Sequence, residues 1–373
     1  MAQGNRAYGL ICYSKALYDE GHQPIFLTHA YVGLRAALAT APDDPHGVDH
    51  WARDYFTKQQ AWLESLIKPE HLNKGTEMEE FPLGDSKGEI KYRKWCLNNR
   101  LFLNPLNDLG PYSIAARDVL TTPSIVVKTH EGMHFQGFYN QLKQEYVAAR
   151  YLYYEGTTSA KPHFSDTNVL LYNTLDYPSY SLATEKVKVA FRMVYSLLDK
   201  MSFFLNHYLA LGIPENDVSF RRFWYSNTSR PRQRTLRAEF ENCENWPLRG
   251  LFWLSKDLFE NAQDFKECLE PDAQELALVR NHLEHKYLKL HEFEWSRPTS
   301  DDDLFHSRFD SLAFSLSRRD FEAKALRLIK MVRAALVYLS LAIHCEERQR
   351  ARARPEGLVL PMYVDTYDDD WKR

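Results

Sequence analysis

Arg280-Asn281-His282-Leu283-Glu284-His285-Lys286-Tyr287 gathers an arginine, an amide, a histidine and a tyrosine within about two turns of a helix. Around it, Pro271 to Leu290 is apolar at Leu276, Val279, Leu283, Tyr287 and Leu290. Steps of three and four residues draw one stripe along a helix, and Pro271 suits a first helical position. At about 100° per residue His285 falls opposite the stripe, Asn281 stands one turn before it, and Arg280 lies at the stripe's border. A guanidinium and an imidazole off the core side make a phosphate clamp next to a titratable base. The plainer alternative is a solvated charged face carrying two incidental histidines.

Three further helices follow from the same periodicity. Phe138 to Glu155 repeats apolar residues at Phe138, Leu142, Tyr146, Ala149 and Tyr153 and stops at Gly156. Thr184 to Leu211 carries Val187, Phe191, Val194, Leu198, Met201, Leu205 and Tyr208 before Gly212 and Pro214. Arg318 to Arg350 starts after Ser317, with Asp320 three residues on in a capping-box arrangement, and runs through Phe321, Leu328, Val332, Leu336 and Leu339. Each offers one apolar face, and four such faces bury together as an antiparallel bundle. Upstream, Tyr8 to Ile67 reads as two or three helices broken at Gly21 to Pro24 and at Pro42 to Pro45, without a repeat at fixed spacing. Lys74 to Lys91 reads as a charged linker, and Ser113 to Leu120 as a short helix. The expected organisation is mainly α: residues 1–90 a helical region with linker, 91–350 the bundle, 351–373 an acidic tail.

The 373 residues suffice for a full core. Five scattered cysteines without a C-x-x-C pair argue against a disulfide framework or zinc knuckle and for a reducing cytoplasm. The first residues lack an apolar signal core, and no run of about eighteen apolar residues follows, so no membrane partner is expected. A net charge of -3 gives no ground for inferring nucleic-acid affinity from global charge and leaves it to local patches. Arg221, Arg222, Arg230, Arg232, Arg234 and Arg237 form one, interleaved with Phe223, Trp224 and Tyr225 and free of acids. Guanidinium forks bind phosphates and aromatic faces stack unpaired bases. The alternative is an arginine loop whose aromatics point inward.

His130-Glu131-Gly132-Met133-His134 matches H-E-x-x-H, which on a helix would set two imidazoles on one face for zinc, with Glu155 a candidate third ligand. The preceding Pro123 to Val127 is β-branched, and Gly132 costs about 1 kcal/mol inside a helix. A polar loop leading into the first bundle helix is the favoured reading. His282, His285 and His291 lack helix-face ligand spacing, and His282 and His291 read as surface residues. No metal or cofactor is expected.

The arginine, asparagine and histidine of Arg280-Asn281-His282-Leu283-Glu284-His285 resemble the R-x4-H signature of the HEPN superfamily, and Tyr287 extends it to R-x4-H-x-Y. Tyr92-Arg93-Lys94-Trp95-Cys96-Leu97-Asn98-Asn99-Arg100-Leu101-Phe102-Leu103-Asn104-Pro105-Leu106-Asn107 and Asn140-Gln141-Leu142-Lys143-Gln144-Glu145-Tyr146-Val147-Ala148-Ala149-Arg150-Tyr151 also look like one prokaryotic HEPN family. The resemblance implies a HEPN-like helical bundle and a metal-independent endoribonuclease with Arg280, Asn281 and His285 catalytic and Glu284 and Tyr287 supporting. It further implies a homodimer whose motif helices meet, products with a 2',3'-cyclic phosphate and 5'-hydroxyl, and a prokaryotic toxin-antitoxin or antiviral defence setting with an antitoxin or defence partner protein. In some such toxins a partner nucleotidyltransferase adenylylates the tyrosine equivalent to Tyr287. A catalytically silent HEPN module that binds RNA or nucleotides, or serves dimerisation, is the alternative; a zinc hydrolase through His130 and His134 ranks below both.

Overall fold

In the computed structural model, residues 1–39, 48–73, 77–128, 131–226, 235–259, 273–292, 310, 312–353 and 359–372 are described. Helices dominate them. Helices α1 (Ala2–Ala16), α2 (His22–Leu38), α3 (His50–Leu66) and the short α4 (Pro69–Asn73) form the N-terminal layer. Helices α5 (Lys87–Asn99), α6 (His134–Thr158), α7 (Leu182–Tyr208), α8 (Ala238–Glu241), α9 (Trp246–Phe259), α10 (Gln274–His285) and α11 (Arg318–Ala353) follow. Two four-residue strands, β1 (Leu288–His291) and β2 (Phe314–Ser317), pair in parallel, Leu288 opposite Phe314 and His291 opposite Ser317.

The long helices bury the stripes expected of them. On α7, Val187, Phe191, Val194, Leu198, Met201 and Leu205 are all buried, and Ser181 caps the helix by accepting the Thr184 amide proton. Ser317 caps α11 by accepting from Asp320 N–H at 3.0 Å. Helix α6 runs antiparallel to α7, with Glu145 opposite Lys200 and Phe135 against Tyr208. It is antiparallel to α11 as well, its Tyr139 and Tyr153 hydroxyls donating to Leu336 O and Glu322 O. Gly156 does not end α6: a Cβ there would lie 2.6 Å from Ala183 O and 2.8 Å from Val187 Cγ2, so it lets the start of α7 pack close.

The two family-like stretches meet in space. Arg150, on α6 and fully buried, forks onto Asp118 at 2.9 and 2.8 Å and donates to Leu101 O at 2.9 Å and to the Tyr92 hydroxyl at 2.9 Å. Burial alone would push Asp118 up, but Arg150 holds its carboxyl below the usual range. Arg333 of α11 binds the same segment, donating to Phe102 O at 2.8 Å, Asn104 O at 3.0 Å and Asp108 at 2.5 Å. The N-terminal layer reaches it too, through Tyr13 to Asp108 at 3.0 Å and Tyr18 to Thr121 O at 2.7 Å.

Several expectations need correction. Helix α10 ends at His285 rather than Leu290: the backbone leaves the helix at Lys286, Tyr287 lies beyond it, and Leu290 enters β1 instead of continuing the stripe. Leu288 and Leu290 flank Lys289 in a strand whose four residues are all buried. Lys87 to Lys91 is the first turn of α5, capped by Ser86, not linker. The helix expected over Ser113 to Leu120 is a single 3-10 turn, Ser113–Ala115. The break at Pro42 to Pro45, the start at Pro271 and the tail residues Gly357 and Leu358 lie outside the described residues.

Removing one partner of a buried, hydrogen-bonded ion pair leaves an uncompensated charge. Arg150→Ala is therefore expected to lower unfolding free energy by about 3–5 kcal/mol, read as a shift in the urea midpoint at unchanged m-value.

Candidate active site

Helix α10 lies antiparallel against α7 and beside α9. Leu276, Val279 and Leu283 face inward, which leaves Asn281, Glu284 and His285 exposed and Arg280 half-buried. Arg192 of α7 donates to Leu283 O at 2.7 Å, satisfying one of the carbonyls left open at a helix C-terminus. One turn on, the buried ring of Tyr195 carries the Arg280 guanidinium 5.5 Å from its centroid. One turn further, Asp199 accepts the Phe220 amide proton at 2.8 Å. Burial pushes the Asp199 carboxyl up, while the Phe220 amide and Arg280 pull it down.

Arg280 and His285 meet: Nη1 stands 3.3 Å from Nε2. A guanidinium only donates, so in this contact Nε2 holds a lone pair and the imidazole proton sits on Nδ1. That is the form in which Nε2 can accept a proton. Asn281 Oδ1 lies 3.5 Å from the same Nη1, so one guanidinium arm reaches both catalytic candidates beside it.

The remaining candidates divide. Glu284 pairs with Arg192 at 3.5 Å, across to α7, instead of with Arg280. Tyr287 lies beyond the helix, 40% exposed, with the Lys289 ammonium 5.3 Å from its ring centroid; it is not part of an apolar stripe. His282 stacks on Phe314 with centroids 4.6 Å apart. His291, expected at the surface, is buried in β1, Nδ1 bonded to Asp176 O at 2.9 Å.

Arg221 and Asn281 line one open cleft of about 380 Å³ with Leu258, Phe259 and Leu278, so the first arginine of the patch and the motif helix share a surface. Arg222 is exposed near Asp217 at 3.7 Å. Trp224 is a correction: it is 1% exposed and its indole N–H donates to Phe220 O at 3.0 Å, so its face cannot stack a base. Phe223 and Tyr225 are buried beside it, which is the inward-pointing alternative. Arg230, Arg232 and Arg234 lie outside the described residues.

The zinc reading fails on geometry. Helix α6 begins at His134, so Glu131 to Met133 are not helical, and His130 lies outside the described residues. Glu155 lies on the same helix, twenty-one residues from His134, hence about 31 Å along the axis at 1.5 Å per residue. It pairs with Lys186 at 2.8 Å. Among the described residues no group of three or more metal-ligating side chains occurs.

Sequence reasoning missed Arg192, Tyr195 and Asp199, which support the motif from below. Their signal was present: steps of three and four place them on one face of α7.

A mainly helical chain with an Arg-Asn-x3-His helix laid on a long neighbour defines a HEPN-type bundle. A family model described as LA2681-like HEPN matches residues 126–346, more than half of the 373-residue chain. The chain belongs to this HEPN family. No curated protein and no solved structure matches it. The stretch Tyr92 to Asn107 precedes the matched range, yet Arg150 and Arg333 bind it into the same body. Among the described residues no helix is long and apolar enough to cross a membrane.

Because Trp224 is core, Trp224→Ala is expected to cost about 3–5 kcal/mol of stability. A surface stacking residue would cost almost nothing, and chemical denaturation separates the two.

Proposed function

We propose that this HEPN protein is a metal-independent endoribonuclease that cleaves RNA by transesterification. The observation that carries this reading is the contact of Arg280 Nη1 with His285 Nε2 on the solvent side of α10, beside a cleft shared with Arg221. In the reaction His285 Nε2 takes the proton of a ribose 2'-hydroxyl, the 2'-oxygen bonds to phosphorus, and the bond to the 5'-oxygen breaks. A second proton donor supplies the leaving 5'-oxygen, giving a 2',3'-cyclic phosphate and a 5'-hydroxyl. Arg280, released from the imidazole by the incoming phosphate, forks onto the non-bridging oxygens as their charge grows. Asn281 orients the phosphate or the guanidinium, Arg221 and Arg222 extend the phosphate path, and Glu284 and Tyr287 have supporting places at its edge.

Each chain contributes one His285, whereas the chemistry has two proton transfers. A homodimer about a twofold axis at α10 supplies the second imidazole. The biological setting that fits such a nuclease is prokaryotic defence or a toxin held by a partner protein in the cytoplasm. A module that binds RNA or nucleotides without cutting is the second reading, favoured by the single motif histidine, His285, that one chain sets beside Arg280.

His285→Ala is expected to lower RNA cleavage in EDTA by about 10²–10⁴-fold at unchanged helical content and oligomeric state. Retained cutting by His285→Ala sinks the assignment; absence of cutting by the unaltered protein on diverse RNAs favours the binding module. Arg221→Ala is expected to weaken RNA binding and reduce the salt dependence by about one counterion, measured by titration at several salt concentrations.

A further inference from the structure

Helix α5 leaves three cations without partners on one stripe. Lys87, Lys91 and Lys94 are exposed at steps of four and three, which places them on one face of the helix along about 10 Å of its axis. Among the described residues none of the three meets a carboxylate, whereas Lys186, Lys188, Lys200, Lys289 and Lys324 each do. The one acid of α5, Glu89, is engaged within its own helix end: it pairs with Arg93 at 2.9 Å and accepts the Asp85 amide proton at 3.1 Å. Such a stripe works against the helix that carries it. Like charges three and four residues apart repel, and Lys87, the first helical residue, sits where the peptide dipoles already gather positive charge. An anion laid along the stripe offsets both effects.

Beside the stripe lies an aromatic seam. Tyr92 and Trp95 of α5 turn toward α6, where Tyr92 meets Tyr151 edge-on at 5.3 Å and Tyr154 at 5.0 Å, and Trp95 meets Tyr154 at 5.1 Å. From within, Arg150 fixes Tyr92 by donating to its hydroxyl. Tyr92, Trp95 and Tyr154 are half-buried and brace one another, while Tyr151 is 47% exposed. Unlike Trp224, its ring can be reached. The α6 residues that continue its face, Gln144, Val147 and Ala148, carry no charge. The carboxylates nearest the seam are occupied: Asp118 by Arg150, Glu155 by Lys186, and Asp369 of the C-terminal segment by Lys372.

Unpaired ammonium groups in a row bind a phosphate backbone, and an exposed ring beside them stacks a base that has left its helix. We propose that the lysine stripe of α5 and Tyr151 of α6 form a second binding surface, for an unpaired polynucleotide strand. A duplex would use the lysines and leave Tyr151 bare, because its bases are already stacked on each other. An acidic peptide would neutralise the stripe without need of the ring. The surface stands apart from the candidate active site: α5 packs on α6 through this seam, whereas α10 packs on α7 and α9. It therefore holds a strand away from the reacting phosphate and acts on binding, not on proton transfer. That the strand is RNA rests on the ribonuclease reading; the surface itself does not.

The test is a fluorescence-anisotropy titration of a labelled single-stranded RNA longer than about 16 nucleotides, in EDTA, at several salt concentrations. It is made in the His285→Ala protein, so that the proposed cleavage is disabled. Lys87→Gln/Lys91→Gln/Lys94→Gln is expected to lower the slope of log affinity against log salt by about 2. Tyr151→Ala is expected to weaken binding by about 5- to 150-fold, with the helical signal in circular dichroism unchanged. Should that variant loosen the seam, Tyr151→Leu keeps the apolar packing without the aromatic face and carries the same test. Affinity and slope unmoved by the lysine variant overturn the inference. So does a tyrosine variant that binds as tightly as its parent, which would make the stripe a site for any polyanion. The same losses on a DNA strand of that sequence uphold the surface and sink only its tie to RNA. Cleavage with His285 restored is read separately: its absence sinks the nuclease and leaves the surface, whereas cutting by a protein whose binding is indifferent to these variants does the reverse.

Discussion

Two buried arginines hold this protein together. Arg150 from α6 and Arg333 from α11 converge on the non-helical segment that follows α5, meeting the carboxylates of Asp118 and Asp108 and the carbonyls of Leu101, Phe102 and Asn104. An irregular segment inside a core carries backbone carbonyls that no helix satisfies, and leaving them unpaired would cost more than the bonds contribute. Guanidinium groups suit the task because each presents several donors in a rigid plane. Once that segment is fixed, α6 and α11 have a defined separation, α7 lies against both, and α10 inherits its place from α7. The position of the candidate site therefore descends from pairings far from it.

Much of this was legible in the residues. The apolar period of α6, α7 and α11 marked them to within a few positions, since a long stripe is averaged over many residues and survives local exceptions. Ser317 with Asp320 announced the start of α11 because a cap is a local hydrogen bond that neighbouring sequence specifies. The end of α10 was not legible. Leu290 satisfies a helical stripe with Leu283 and Tyr287 as well as an alternating strand with Leu288, and the arbiter was β2, some twenty-six residues downstream. Trp224 failed for a related reason: an aromatic between arginines has the composition of a nucleic-acid surface, and only tertiary packing against Phe240 and Phe252 reveals it as core. The glycine at 156 gave the right region and the wrong cause, since its missing side chain makes room for α7.

At the candidate site, the proposed chemistry turns on competition for one guanidinium. In the free protein Arg280 has three neighbours: the Tyr195 ring beneath, Asn281 beside and His285 at its tip. The first is a weak, non-directional attraction that holds the cation in place without consuming its donors. The contact with a neutral imidazole is weaker than one with a phosphate oxygen, where both partners are charged. On the proposed function, a phosphodiester entering the cleft would take the arginine by simple exchange. The imidazole nitrogen it would free is the one that carries the lone pair in the Arg280 contact, so on the same proposal substrate binding would uncover the base.

Rigidity just past His285 would serve the proposed exchange. A helix terminus frays, and a catalytic histidine on its last turn would wander unless the chain beyond it were anchored. Here Lys289 supplies the anchor. Burial alone would push its ammonium down, but the hydrogen bonds it donates to Asp176 and Asp310 prevail and hold it above its usual range. A charge so enclosed cannot leave its partners without great cost, so β1 is fixed at its centre, with Arg192 gripping Leu283 O on the other side of His285. The histidine is then flanked within a few residues by two immobile points while its own side chain stays in solvent. The same ion pair ties the connection between α6 and α7, at Asp176, to the strand that follows His285.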